Sequence, residues 1–175
     1  MMDYENQQIV TESLPRLEKV EYEPLQKNYL WMSMVQNAIF LMVLFGVGLI
    51  FTLTVFLSTF FATFLKMMGI WILFALLLIL LTYFGFKRKG YALRERDISY
   101  KTGLIFRSVT TIPFNRVQHC ELKKGPLEEL FSITKLRVYT AGGMASDLAI
   151  PGLTQERAES LKQFILNQTE EDEEE

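Results

Sequence analysis

No acidic, basic or histidine residue lies between Lys27 and Lys66, and none lies between Lys66 and Lys87. A bilayer core about 30 Å thick is crossed by about 20 apolar residues in a helix. Residues 37–57 supply one such span and residues 67–86 a second. The intervening residues 58–66 are short enough for a tight connection, so the pattern predicts an antiparallel helical hairpin. A soluble monomer and a wholly disordered chain are excluded, because neither can keep that much uncharged apolar chain from water.

The flanks fit a membrane. Tyr29 and Trp31 precede the first span, Trp71 follows the connection, and Tyr83 and Phe86 close the second span. Aromatic residues of this kind favour bilayer interfaces. Lys87, Arg88 and Lys89, then Arg94 and Arg96, follow the second span, and Arg16, Lys19 and Lys27 precede the first. The connection holds only Lys66. Positive charge stays on the cytoplasmic side, so both termini are expected there, in a multi-pass protein of the plasma membrane. The apolar run begins some 30 residues in, after an acid-rich leader, which argues against a cleaved signal peptide.

Neither span carries an ionisable group, the usual mark of an ion or proton pathway. A lone transporter or pump is disfavoured; a subunit of an oligomeric transport or pore complex stays open as an alternative. Gly46, Gly48, Thr52, Thr54 and Ser58 either form a close helix contact or are scattered over a lipid-facing helix.

The net charge of −2 conceals a division of sign. Residues 1–30 hold three bases and six acids. Residues 87–169 hold fourteen bases and eight acids, a net of +6, and the last six residues are all acidic. A basic domain with an acidic tail is expected next to the membrane. Cys120 is the only cysteine and His119 the only histidine, which excludes a disulfide framework and a Cys/His zinc cluster. As neighbours on a strand they point to opposite faces.

After Lys89 the chain reads as short alternating runs separated by turns. Strands are expected at residues 90–94, 98–101, 104–112, 117–123, 135–140 and 147–150, an antiparallel meander. Within 117–123, Val117, His119 and Glu121 share one face and Gln118, Cys120 and Leu122 the other. Gly125, Pro126 and Leu127, followed by Glu128 and Glu129, predict a short helical insert with Pro at its first position. Thr154 is placed to cap a longer helix to about Asn167, with Ala158, Leu161, Ile165 and Gln168 on one stripe that covers the sheet. Four segments are expected: a cytoplasmic leader (1–29), the hairpin (30–89), the β domain (90–167) and a disordered acidic tail (168–175).

Four stretches carry a likeness. They are Gly103-Leu104-Ile105 with Ile112-Pro113 and Arg116-Val117-Gln118; Gly125-Pro126-Leu127 with Leu130-Phe131; Thr140-Ala141-Gly142-Gly143; and Ile150-Pro151-Gly152-Leu153. In this order, behind a two-span hairpin, they resemble the YdbS-like membrane proteins with a bacterial pleckstrin-homology (PH) domain. The resemblance covers about residues 30–167. It implies an α+β membrane protein, with a partly open antiparallel β-barrel of roughly seven strands capped by the C-terminal helix. It further implies work beside a larger membrane protein with several such domains, or as a homo-oligomer. It implies no enzymatic reaction and no cofactor, and it admits a role in cell-envelope stress or defence.

Read as chemistry, Gly103, Pro113, Gly142, Gly143, Pro151 and Gly152 suit turns and strand ends better than a ligand site. Gly142-Gly143 lacks the Lys-Ser/Thr of a phosphate loop. Lys87, Arg88, Lys89, Arg94 and Arg96 are the candidate contacts for anionic lipid, attracted by about 1 kcal/mol each; the alternative is a pure topology signal. Arg116, Lys123, Lys124, Lys135 and Arg137 offer a second basic face, for which the protection of solvated strand edges is the leading reading. Asp97, His119, Glu121 and Asp147 lack partners at catalytic spacing. The basic charge is not interleaved with aromatics as in an RNA-binding motif, so no nucleic acid is expected.

Overall fold

The computed structural model describes residues 20–55, 60–141 and 147–174, with side chains through Thr169. Two long helices come first, α1 (Lys27–Val55) and α2 (Phe60–Lys87). At 1.5 Å per residue each is about 42 Å long, which exceeds the bilayer core of about 30 Å. α1 starts ten residues before the expected span, and α2 absorbs most of the expected connection. No breaker falls in residues 60–66, and a continued helix satisfies its own backbone polar groups in lipid.

Polar contacts join the helices. Asn37 donates to Thr82 Oγ1 at 2.6 Å, the Trp71 indole N–H donates to the Leu41 carbonyl at 3.2 Å, and Thr52 lies 3.7 Å from Met67 Sδ. Gly48 belongs to the last contact, since a Cβ there would meet Met67 Sδ at 3.0 Å. Gly46 faces open space and Thr54 bonds back to its own helix, so the small residues divide between the two readings. Ser58 lies outside the described residues. Trp71 bridges the helices and packs edge-on against Phe45. Met42, Phe61, Ile70 and Leu73 are each more than two-thirds exposed. Apolar surface on that scale is covered by lipid in a membrane protein.

The domain has two antiparallel sheets. The first runs β1 (Glu23–Pro24), β2 (Gly90–Leu93), β3 (Asp97–Thr102) and β4 (Ser108–Pro113), side by side in that order; the second runs β5 (Val117–Lys123), β6 (Thr134–Thr140) and β7 (Leu148–Leu153). A single 3-10 turn, Phe114–Arg116, links the sheets, and α3 (Pro126–Leu130) links β5 to β6. The sheets do not close, which makes a partly open PH-like barrel. Ile98, Ile112, Phe114, Leu136, Val138 and Ile150 fill it. α4 (Gln155–Glu174) covers one end with Ala158, Leu161 and Ile165, and Thr154 Oγ1 accepts from Arg157 N at 3.2 Å as its cap.

Five local expectations change. β1 comes from the leader: Glu23 and Pro24 pair with Tyr91 and Gly90, and Leu25 is buried. β4 begins only at Ser108, and residues 104–107 form a loop. A bulge between Val117 and His119 resets the alternation, so Val117 and Cys120 both point inward. β7 continues through Pro151 and Gly152 to Leu153; it is an edge strand, where a missing N–H is tolerated. α4 runs past Asn167 to Glu174, through residues that include good helix formers.

Candidate functional site

The chain leaves α2 at Lys87 and enters β2 at Gly90. β3 returns antiparallel, with Lys101 opposite Gly90, and runs one residue further, to Thr102, before Gly103 turns it. This geometry brings the β3–β4 loop back to the end of the second span. Gly103 has φ of 101°, and a Cβ there would lie 1.7 Å from the Phe106 carbonyl oxygen, so only glycine fits the turn.

Between these elements lies a cavity of about 440 Å³. Lys87, Arg88, Lys89, Lys101 and Arg107 line it, with Tyr22, Pro24, Gly90 and Gly103. Among the described residues none of the five bases is paired with a carboxylate. Three rest on aromatic faces instead: Lys87 over Tyr83 at 4.5 Å, Lys89 over Tyr29 at 5.0 Å and Lys101 over Tyr22 at 5.4 Å. Lys89 also donates to the Tyr29 hydroxyl at 3.1 Å. Such contacts hold the alkyl stems in place and leave ammonium charge for an anion. Five positive charges around one opening suit a phosphate-bearing headgroup better than a neutral ligand.

The fold divides the predicted cluster. Lys87, Arg88 and Lys89 line the cavity. Arg94 and Arg96 sit at the β2–β3 turn, at the far end of that hairpin, where Arg94 is paired with Asp97 at 2.8 Å and reaches Ser99. Lys101 and Arg107 take their places. A hairpin turning at residues 94–97 puts Lys101 opposite Gly90, so that pairing was a readable signal; the recruitment of Tyr22 from the leader had none.

The described motif residues sit at strand ends, turns and connections. Pro113 ends β4, Arg116 offers its carbonyl to Ala141 N, and Gly125 precedes Pro126 and Leu127 at the start of α3. Gly152, with φ of 67°, backs onto Tyr29, where a Cβ would meet the Tyr29 Cβ at 2.6 Å. Gly142 and Gly143 lie outside the described residues. In the second basic group, Lys135 pairs with Glu128 at 3.4 Å and Arg137 stands opposite Glu121 in register.

The candidate acids and bases are taken up by local contacts. Glu121 accepts from the Tyr139 hydroxyl, Asp147 accepts from Thr140 N and Oγ1, and His119 stacks on Tyr139 at 4.3 Å. Burial pushes the Cys120 thiol up to about 11, the opposite of a nucleophile's shift. Among the described residues no group of three or more His, Cys, Asp or Glu is placed to hold a metal ion. A second, larger groove of about 590 Å³ between the spans is apolar, with Lys66 its only ionisable lining residue.

Two apolar helices, a partly open two-sheet barrel and a capping helix define a membrane protein that carries a PH-like domain. The family model for the bacterial PH domain matches residues 37–169, and the chain belongs to that family. It is 29% identical over 75 residues to the transmembrane protein YdbS of Bacillus subtilis (strain 168); the match takes in 43% of this chain and 45% of that one. Among solved structures it is similar to a DUF1696 family protein with a pleckstrin-homology domain from Shewanella loihica PV-4, at 15% identity and a TM-score of 0.37, over 48% of this chain and 73% of the other.

Proposed function

We propose that this chain is a non-enzymatic membrane module. Its hairpin holds the PH-like domain against the cytoplasmic face of the plasma membrane, with both termini on that side, and the basic cavity takes an anionic lipid headgroup. One observation carries this reading: five bases from three separate segments, none paired with a carboxylate among the described residues, meet around one opening at the end of the second span. Juxtamembrane bases are attracted to anionic lipid by about 1 kcal/mol each.

A photocrosslinking phenylalanine analogue in place of Tyr22, which lines the cavity, tests the contact in native membranes. An adduct with the mass of an anionic phospholipid supports the reading. An adduct with protein alone overturns it.

A second reading is assembly, with another copy or with a larger membrane protein of the same family. It is supported by β4, which is the outer strand of its sheet and exposes Val109. An unpaired edge of this kind accepts a strand from a partner. Formaldehyde crosslinking of intact cells, with the adduct identified by mass, tests it; recovery of the uncrosslinked monomer alone contradicts it.

A further inference from the structure

Among the described residues, the loop between β3 and β4 carries the most exposed large apolar side chain outside the helices. Phe106 is 89% exposed and its neighbour Ile105 76%. Neither belongs to the barrel core. The stem of the loop is fixed: Thr102 pairs with Ser108, and Gly103 holds the left-handed turn that the Phe106 carbonyl packs against. The exposure is therefore built into a defined turn.

Its place identifies what covers it. Gly103 and Arg107, the two ends of the loop, line the same cavity as Lys87, the last residue of the second span. β3 runs past Gly90 toward the spans before it turns, so the loop lies at the level where the chain leaves the bilayer. Lys101 and Arg107 flank the apolar tip. Apolar side chains ringed by bases match a leaflet of acyl chains under anionic headgroups. A water-facing loop would not concentrate apolar surface in this way.

We infer that Ile105 and Phe106 form a third membrane contact, a wedge seated in the headgroup and upper acyl region of the leaflet nearest the domain. With the two spans it fixes the tilt of the domain and presses the basic cavity onto the headgroups. The inference shares with the proposed function the placement of the domain on the bilayer, and it is separable from the headgroup contact.

The test uses the full chain in vesicles, with a polarity-sensitive fluorophore on Phe106→Cys or Ile105→Cys. Buried Cys120 stays unlabelled in the folded protein. A control label on Glu95→Cys marks the β2–β3 turn at the far end of the hairpin. In phosphatidylcholine vesicles the label at 106 or 105 is expected to shift to shorter wavelength, to lose intensity with brominated acyl chains, and to resist iodide. The label at 95 is expected to behave as in water. Identical behaviour at both ends of the hairpin overturns the wedge. So does protection from iodide without quenching by brominated lipid, which places protein over the loop. Adding phosphatidylglycerol separates the two proposals: quenching that is the same with and without it leaves the wedge standing and removes support from the headgroup contact.

Discussion

Arg157 and Glu23 are 134 positions apart in sequence, and the guanidinium Nη2 lies 2.6 Å from the carboxylate Oε1. Tyr91 completes the group, donating to Glu23 Oε2 at 2.6 Å and accepting from Arg157 Nε at 3.0 Å. Three elements meet there: the leader before α1, the first strand after α2, and the capping helix. The domain is thereby closed on both sides of the hairpin, so the spans leave it as a pair.

Removing either partner of this latch loosens the leader. Both side chains are substantially exposed, so Arg157→Ala or Glu23→Gln is expected to cost about 1 kcal/mol. The Tyr91 hydrogen bond holds Glu23 below the usual carboxylate range, partly offset by burial, and Arg157 adds to it. A lowered folded pKa stabilises above the unfolded value near 4.5 and is lost as pH falls through the folded value. Thermal melts in detergent between pH 7 and about pH 3 should therefore show the wild type and Glu23→Gln converging at the acid end. A constant gap contradicts the assignment.

Glycine substitutions should separate by their surroundings. Gly103→Ala forces a left-handed φ and a clash with the Phe106 carbonyl, and is expected to cost more than about 1 kcal/mol. At Gly125 an added Cβ meets only the flexible end of Glu128, and the backbone is ordinary. Gly125→Ala is expected to leave the melting temperature nearly unchanged.

Core and loop should differ as sharply. Leu136 is fully buried, so Leu136→Ala is expected to cost about 2–5 kcal/mol by chemical denaturation. Ile105→Ala, at an exposed site, should cost little in detergent.

Cys120 should resist alkylation. Burial holds its thiol near 11, so at pH 8 iodoacetamide is expected to modify it only after denaturation. Rapid modification of the native protein would show that β5 does not pack as described.

Orientation is open to a direct reading. A reporter fused after Glu175 should give a cytoplasmic signal, as the bases beside residues 87–96 demand. An external signal reverses the assignment.

The spans and most strands were legible because their patterns are local: uncharged runs for the helices, alternation for the strands. Leu136 and Val138 alternate with Arg137 and Tyr139 in the sequence and are the pair the structure buries, and Thr154 is recognisable as a helix cap by its chemistry. Parity failed at Cys120, because the bulge after Val117 inserts a residue that composition does not mark. The leader strand was missed for a different reason. Glu23-Pro24 is too short to signal a strand, and it exists because β2 offers an edge. The site fared likewise. Lys87, Arg88 and Lys89 were visible as a run, but Lys101 and Arg107 join them only through the pairing of β2 with β3.

The central claim is that the cavity beneath the domain binds anionic headgroups through bases gathered by the fold. Native mass spectrometry of the full chain, exchanged into detergent containing phosphatidylglycerol, tests it most directly. The wild type should retain bound phosphatidylglycerol, Lys101→Glu with Arg107→Glu should lose it, and Lys123→Glu with Lys124→Glu should keep it. Equal retention in all three proteins would contradict the claim.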